Sequence, residues 1–344
     1  MFVAWRDLRF AKGRFALMGA VIVLITLLVG LLSGLTAGLG RQNVSGITGL
    51  AADLIVFGGA EPSYADSTVT DDQLRQWAAA PGVTRAEPLG IAMTKATAGD
   101  TNAAVAIFGV RPGFAHVDDR SVVLSTKAAT DLDVWPGDTI RLAGQSLTVA
   151  EVAGDDYFSH TPVVWTSLQT WQKLSPGAAA TVIAVSGNGV DVAAVDAAAG
   201  TTTVSKDESL DAIGSYRSEN GSLQLMRGFL FAISALVIGA FFTVWTIQRS
   251  GDIAVLKALG AATAYLLRDA LGQALVLLIG GTAIGTAAAV GLGTLVGGSV
   301  PFLLTPATVL TPAAVMVLLG ALGAALSIRR IAAVDPLTAL GSAR

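Results

Sequence analysis

The sequence predicts an α+β membrane protein with four transmembrane helices, arranged as one plus three, and a mixed α+β extracellular domain inserted between the first two. Two observations predict this class. Only 14% of the 344 residues are charged and the mean hydropathy is +0.64, whereas soluble domains carry about 25% charged residues. Most acidic residues fall between the first two apolar windows, so a polar domain interrupts the membrane part.

Windows without charge locate the transmembrane helices. Residues 15–40 and 228–248 each exceed the roughly 20 residues that a spanning helix needs. The window 270–328 is too long for one crossing, and Pro301, Pro306 and Pro312 predict its break because proline removes a backbone donor. We therefore assign the spans to residues 15–40, 225–248, 267–299 and 312–328, with an extracellular turn at residues 300–311.

Charge asymmetry orients these spans. The segments assigned to one side hold ten Lys and Arg against four Asp and Glu, whereas residues 41–224 hold eleven against twenty-one. Basic segments flanking spans remain in the cytoplasm. This predicts a multi-pass protein of the cell (inner or plasma) membrane with both termini cytoplasmic. Its cytoplasmic parts are an amphipathic segment (residues 1–14), a loop (residues 249–266) and a tail (residues 329–344).

The extracellular domain, residues 41–224, is predicted to mix strands and helices. Apolar, β-branched runs bounded by turn residues predict strands at Asp53–Phe57, Ala103–Val110, Val122–Leu124, Thr139–Leu142, Leu147–Val152, Pro162–Trp165 and Thr181–Val185. Capping residues and apolar spacing predict helices at Thr70–Ala80, Leu168–Leu174 and Val190–Ala199.

Several kinds of chemistry are excluded by composition. The chain has no cysteine and two histidines, His116 and His160, so neither a thiolate nor a histidine-rich metal site is expected. No GxxxxGK[ST] motif occurs, so ATP and Mg²⁺ must bind to another subunit if ATP drives this protein. No catalytic constellation and no nucleic-acid partner are expected, and membrane lipids surround the spans.

The loop after the second span carries a short amphipathic pattern. Ile253, Leu256 and Leu259 recur at helical spacing, and Gly260 is a suitable stop. Such a helix could dock into a groove of a soluble partner or lie in the lipid interface as a connector. Spacing alone does not separate the two.

Three segments resemble the FtsX-like permease family of the MacB type, a family of ABC transporters. The run Asp252-Ile-Ala-Val-Leu-Lys-Ala-Leu-Gly260 is similar to the family's cytoplasmic loop. The tail Ala332-Ala-Val-Asp-Pro-Leu-Thr-Ala-Leu340 resembles its closing motif, and Trp5-Arg-Asp-Leu-Arg9 resembles its opening segment. The order of the spans also matches that family. Because the predicted domain has no second extracellular subdomain, the chain most resembles the haem-exporter permeases of the HrtB type.

The resemblance implies a homodimer working with two copies of an ABC ATPase. It identifies the loop as a coupling helix, through which ATP-driven movement reaches the extracellular domain without a central channel, a mode called mechanotransmission. The residues that it assigns to ATPase coupling are Arg249, Asp252, Ile253, Leu256, Lys257, Leu259 and Gly260.

A haem substrate directs attention to the approach to the second span. Tyr216, Glu219 and Met226 are possible iron ligands, and Arg217 and Arg227 could face the propionates. Each has an ordinary alternative: Met226 as a packing residue, Arg227 as a snorkelling residue and Glu219 as a solvated charge. His116 and His160 are expected to be surface or hydrogen-bonded histidines rather than iron ligands.

Function and packing leave alternatives open. The chain could export haem, or another lipid-like or antimicrobial molecule, or act without transport by activating an extracellular cell-wall hydrolase. An unassisted membrane anchor is disfavoured by the coupling-type loop.

Small residues let membrane helices approach closely, so the glycines of the third span predict contact with another helix, within the subunit or across a dimer: Gly272, Gly280, Gly281, Gly285, Gly291, Gly293, Gly297 and Gly298.

Overall fold

The chain divides into a helical unit and an inserted domain. The computed structural model describes residues 12–112, 114, 117–142, 144–248, 250–297 and 300–332. The helical unit contains the described residues up to Gly38 and from Ser222 onward, and the inserted domain is Leu39–Gly221. His116, Arg249 and the two terminal motifs of the resemblance, apart from Ala332, lie outside the described residues.

Nine helices and ten strands are defined within the described part of the chain. In chain order they are α1 (Lys12–Thr48), β1 (Leu54–Phe57), α2 (Asp71–Ala79), β2 (Val83–Ala98), β3 (Thr101–Val110), β4 (Ser121–Leu124), α3 (Thr126–Leu132), β5 (Thr139–Leu142), β6 (Gln145–Val152), β7 (Tyr157–Phe158), β8 (Thr161–Ser167), α4 (Leu168–Gln172), β9 (Val182–Gly187), α5 (Val192–Ala199), β10 (Thr202–Ser205), α6 (Gly214–Gln248), α7 (Ser250–Ala258), α8 (Thr263–Val296) and α9 (Pro306–Ala332). A 3₁₀ turn at Glu208–Ala212 precedes α6.

Four helices, α1, α6, α8 and α9, are long and apolar enough to cross a membrane. The predicted arrangement of one span followed by three is confirmed, but the last span begins earlier than expected. Helix α9 starts at Pro306 and contains Pro312. The Thr305 hydroxyl accepts a hydrogen bond from Thr308 N at 3.2 Å. A capping Thr followed by Pro at the first helical position favours a helix start, because that position needs no N–H donor.

The helical unit is packed through small residues. A Cβ at Gly285 of α8 would lie 2.6 Å from the Val23 carbonyl oxygen of α1, so these backbones can approach only at glycine. The prediction that glycines of the third span contact another helix therefore holds within the subunit at this position. The buried apolar side chains come from all four spans: Met18, Ile22, Val29, Ile238, Phe242, Trp245, Leu266, Ala270, Ala274, Leu278, Met316 and Ala324.

The inserted domain is built on a ten-stranded sheet. The strand order is β10-β1-β9-β2-β3-β8-β4-β6-β5, with β7 paired to β8 and a further β2–β5 pairing. That extra pairing makes a closed ring of six strands. All seven predicted strands are present, with shifts of up to two residues at their ends.

Strand β2 is the main element that the sequence pattern did not predict. Its register changes partner along its length: Val83–Leu89 pairs with β9, and Gly90–Ala98 pairs with β3. The strand contains Pro88 and Gly90, and Gly90 is required here because a side chain at this position would overlap the Trp171 ring. A long strand shared by two parts of the sheet therefore tolerates both residues.

Helix α2 follows the capping prediction. Gln73 N donates to the Thr70 hydroxyl at 3.3 Å, and Thr70 N donates to Gln73 Oε1 at 3.0 Å. This reciprocal pair satisfies two backbone donors at the helix start. Helices α4 and α5 also lie in the predicted segments, whereas α3 was not predicted.

Candidate functional site

One polar cluster in the inserted domain joins three elements: the end of α1, the start of α6 and the two-residue turn between β7 and β8. The turn is attached to α1 through its backbone. Ser159 N donates to the Asn43 carbonyl at 3.0 Å, and His160 N donates to the Gln42 carbonyl at 2.9 Å. Since these bonds use main-chain atoms, the turn is held on α1 whatever side chains it carries.

The turn has an unusual backbone. Ser159 and His160 have φ angles of 51° and 63°, in the left-handed region that costs a residue with a Cβ about 1–2 kcal/mol. Hairpins of this kind usually place Asn-Gly at these positions. The domain therefore retains an imidazole and a hydroxyl where glycine and asparagine would be more favourable, which is typical of positions whose side chains have a role.

The side chains of the cluster form a continuous hydrogen-bonded chain. His160 Nε2 lies 2.8 Å from Oε2 and 3.0 Å from Oε1 of Glu219. Asn43 Nδ2 lies 3.1 Å from Glu219 Oε2 and 2.9 Å from His160 Nε2. Ser215 Oγ donates to Asn43 Oδ1 at 2.6 Å, and the Ser159 and Ser215 hydroxyls are 2.7 Å apart.

One arrangement of protons satisfies the contacts of Glu219, and it leaves the 2.9 Å approach of Asn43 Nδ2 to His160 Nε2 as a contact between two donors rather than a hydrogen bond. An ionised carboxylate only accepts hydrogen bonds, and an amide nitrogen only donates. Glu219 Oε2 therefore accepts from both Asn43 Nδ2 and His160 Nε2, and the ring carries its proton on Nε2. The Ser215 hydroxyl fixes the amide orientation because it donates to Asn43 Oδ1. The cluster thus links α1, α6 and the turn through one shared carboxylate.

A second polar contact ties the same hairpin to α1. Tyr157 N donates to the Ser45 hydroxyl at 2.8 Å. The neighbouring Asp156 is half-buried and accepts a hydrogen bond from Trp165 Nε1 at 3.3 Å. Burial raises the pKa of Asp156 above its ordinary value of 3.8, and the bond from Trp165 opposes that shift.

The candidate haem residues fall into both units. In the inserted domain, Tyr216 packs against the apolar core and Arg217 is exposed. Glu219 is brought together with His160, which the sequence analysis set aside as a hydrogen-bonded histidine. In the helical unit, Met226 is 49% exposed, while the Nε of Arg227 is buried without a hydrogen-bond partner. Glu219, named as a possible iron ligand with a solvated charge as its ordinary alternative, is hydrogen-bonded to His160 and Asn43 in the structure.

The loop after the second span forms the predicted helix α7. Its end has two characteristic hydrogen bonds, from Gly260 N to the Lys257 carbonyl and from Ala261 N to the Leu256 carbonyl, each at 3.0 Å. Gly260 has φ 91°, so this is a glycine-dependent Schellman end. Leu256 and Leu259 are 41% and 79% exposed. The loop therefore presents apolar side chains on a well-defined helix.

Family models match almost the whole chain. The FtsX-like permease C-terminal model covers residues 225–336, and the MacB-like periplasmic core domain model covers residues 15–202. The second match alone includes more than half of the chain. The chain belongs to the FtsX-like, MacB-type permeases of ABC transporters.

Relatives of this permease match from end to end. A protein named HrtB, permease of a hemin transport system in Staphylococcus haemolyticus (strain JCSC1435), is 26% identical over 99% of both chains. An uncharacterised ABC transporter permease of Mycobacterium tuberculosis (strain ATCC 25618 / H37Rv) is 24% identical over 99% of both. The solved periplasmic region of MacB from Actinobacillus actinomycetemcomitans is similar over 48% of this chain and 94% of that chain, at 14% identity and a TM-score of 0.38, which supports no inference here.

Of the residues in the polar cluster of this permease, sequence reasoning singled out Glu219 alone as a candidate site residue. Glu219 stood out because it lies near the start of a span, but Asn43 and His160 are separated from it by 176 and 59 residues. Only the paired strands around the turn bring them together. The available signal was Ser-His between two short apolar runs, where a tight turn usually has Asn-Gly. No group of three or more His, Asp or Glu that could hold a metal occurs in the described ranges.

Proposed function

We propose that this permease is the membrane subunit of an ATP-driven exporter of the mechanotransmission type, which extrudes a small amphipathic molecule, with haem as the preferred substrate. The observation that carries the proposal is the match to the hemin permease HrtB over 99% of both chains. The similarity extends across the inserted domain as well as the spans. A shared domain of that kind supports a shared class of substrate.

The proposed assembly contains two permease copies and two copies of a separate ATPase. The chain has no GxxxxGK[ST] motif, so ATP and Mg²⁺ would bind to the partner subunit. Both termini would lie in the cytoplasm and the inserted domain outside the cell, because the short segments on the other side of the spans hold ten Lys and Arg against four Asp and Glu.

Helix α7 would be the surface that receives the ATPase. Its exposed Leu256 and Leu259 are suited to an apolar groove, and the glycine end at Gly260 fixes where the helix stops. Lys257 precedes that end, and Arg249, Asp252 and Ile253 complete the proposed coupling surface. An apolar contact flanked by charges is typical of an interface that must both bind and remain soluble.

A haem-sized molecule would not pass through the cavity that the structure shows among three of the spans. The cavity among α1, α8 and α9 measures ≈ 10 Å³, whereas pockets for small molecules have roughly 300–1,000 Å³. Haem would instead enter from the membrane and meet residues near the start of α6. The proposed substrate residues are Tyr216, Arg217, Glu219, Met226 and Arg227.

Proteoliposomes provide the test of this function. The permease would be reconstituted with its ATPase facing outward, haemin added to the membrane, and apomyoglobin enclosed in the lumen to capture exported haem. We expect ATP-dependent formation of holomyoglobin, which a non-hydrolysable ATP analogue abolishes. A Leu256→Asp variant should lose ATP dependence while retaining haemin binding. Capture that proceeds equally without ATP hydrolysis would contradict export.

One observation favours the alternative, a mechanotransmitter that activates a cell-wall hydrolase. Trp135 is 72% exposed beside a cavity of ≈ 270 Å³ in the inserted domain, and exposed tryptophans are enriched at protein interfaces. Under this alternative the same proteoliposomes would hydrolyse ATP without moving haemin. If ATP is hydrolysed and another lipid-like or antimicrobial molecule accumulates in the lumen in place of haemin, the permease would be an exporter of different specificity.

A further inference from the structure

Arg227 lies on the inward face of α6. The same face carries Ser234, Ile238 and Phe242, which are at most 2% exposed and follow Arg227 at helical spacing. The residues beside it point the other way, since Leu225 and Phe229 are 62% and 61% exposed. An arginine that snorkels to lipid headgroups would occupy the outward face. The side chain is instead directed towards the helix bundle.

One nitrogen of the Arg227 guanidinium is unsatisfied in the described structure. Its Nε is buried from solvent and makes no hydrogen bond. The helical unit supplies only Asp252 and Asp269 as acids among its described residues. Asp269 accepts a hydrogen bond from Gln273 Nε2 at 2.9 Å. Asp252 follows the other end of α6, about 30 Å from Arg227 at 1.5 Å per residue. The described structure places neither acid in a hydrogen bond with Arg227 Nε.

An unpaired cation on the inside of a membrane bundle is expensive and is usually retained for a ligand. The planar guanidinium presents paired N–H donors that match the two oxygens of a carboxylate. We propose that Arg227 receives an ionised carboxylate of the cargo, so that this permease selects acidic amphiphiles and discriminates against their neutral counterparts. This inference rests on the proposed export function and adds the chemical class of its substrate.

The same oxyanion chemistry is offered by the phosphate of a lipid headgroup. A carboxylate of the cargo is favoured over a lipid phosphate because the inward face of α6 is the side away from bulk lipid. The neighbouring Leu230 and Phe231, which pack against the apolar core of the bundle, provide a surface for an apolar ring system. An amphiphile with an apolar body and a terminal carboxylate fits both features. Haem, with its two propionates, belongs to this class.

Haemin and its dimethyl ester test the inference, because the ester carries methylated, uncharged propionates on the same macrocycle and iron. Binding of both would be measured on the full chain in nanodiscs by absorbance and fluorescence quenching. We expect wild type to bind haemin at least tenfold more tightly than the ester. Arg227→Gln should bind the two equally, and Arg227→Lys should retain part of the preference because it keeps the charge and loses the paired donors. Arg141→Gln, a change at an exposed arginine of β5 that is not among the proposed substrate residues, should behave as wild type.

Each other outcome has a distinct meaning. If Arg227→Gln keeps the tenfold preference, the carboxylate binds elsewhere and the inference is wrong while haem export stands. If Arg227→Gln instead reduces only the amount of co-purified phospholipid, a headgroup phosphate occupies the site and the inference is likewise wrong. If wild type binds neither compound, both the inference and the haem assignment fail.

Discussion

Replacing Glu219 by Gln should loosen the β7–β8 turn from α1. The change removes the negative charge that accepts hydrogen bonds from His160 and Asn43 but keeps the side-chain shape. The backbone bonds from Ser159 and His160 to α1 remain. The turn should therefore open more often without unfolding the rest of the domain.

The size of the expected loss of free energy depends on how exposed the side chains of His160 and Glu219 are. Buried hydrogen bonds to a charged group contribute about 1.5–3 kcal/mol, and exposed ion pairs about 0.2–1 kcal/mol. The side chains of His160 and Glu219 are 32% and 40% exposed, which places the expected loss near about 1 kcal/mol. In a local opening equilibrium this corresponds to roughly a fivefold change.

Amide hydrogen exchange measures this opening directly. The Ser159 and His160 amides are bonded to α1, so their exchange reports separation of the turn from that helix. We expect roughly fivefold faster exchange at these amides in Glu219→Gln and no change in the paired amides of β2 and β3. Glu208→Gln, at an exposed carboxylate elsewhere in the domain, is the matched control.

A double-mutant cycle identifies the interaction. His160→Asn suits the left-handed turn while removing the ring, and its effect should not add to that of Glu219→Gln, because both remove the same bond. A coupling energy below about 0.3 kcal/mol, or equal acceleration of the β2–β3 amides, would refute the assigned role of the carboxylate.

Three further predictions concern the inserted domain. Because burial raises the folded-state pKa of Asp156 above 3.8, its contribution to stability is fully present below the unfolded pKa and is lost as pH rises through the folded pKa. Asp156→Asn should therefore flatten the pH dependence of unfolding across that window and stabilise the domain at neutral pH, as followed by tryptophan fluorescence in urea. A side chain at Gly109 would overlap Trp171, so Gly109→Ala should cost about 1–3 kcal/mol in the same assay; an unchanged midpoint would contradict the packing. Thr70→Ala removes the capping box of α2 and should cost about 1 kcal/mol, whereas Thr84→Ala, outside any helix, should cost less.

The fold was predictable where local rules act alone. Three charge-free windows, the last divided at its prolines, predicted the four spans, and the capping residue Thr70 predicted the start of α2. The start of α9 was misplaced because Pro306 and Pro312 were both taken as breakers, although proline is favourable in the first turn of a helix. Strand β2 was not predicted from the sequence. Its Gly90 is explained only by contact with Trp171, a partner distant in sequence.

The polar cluster was only partly predictable for a similar reason. Glu219 could be singled out from its position before a span, but its partners depend on strand pairing. His160 reaches it through the β7–β8 turn, and Asn43 reaches it from α1. A single sequence gives no distance between such residues. The orientation of Arg227 could not be predicted either, because a helical pattern does not say which face meets the bundle.

The central claim is that a separate ATPase acts on this permease through α7. The chain contains no cysteine, so a single Leu256→Cys substitution provides a unique attachment point for a photo-crosslinker. We predict a crosslink to a nucleotide-hydrolysing subunit, with a yield that changes between the ATP-bound and nucleotide-free states. Leu318→Cys on the exposed face of α9, carrying the same crosslinker, is the control and should give no such crosslink. Crosslinks to lipid alone, in complexes that still hydrolyse ATP, would contradict it.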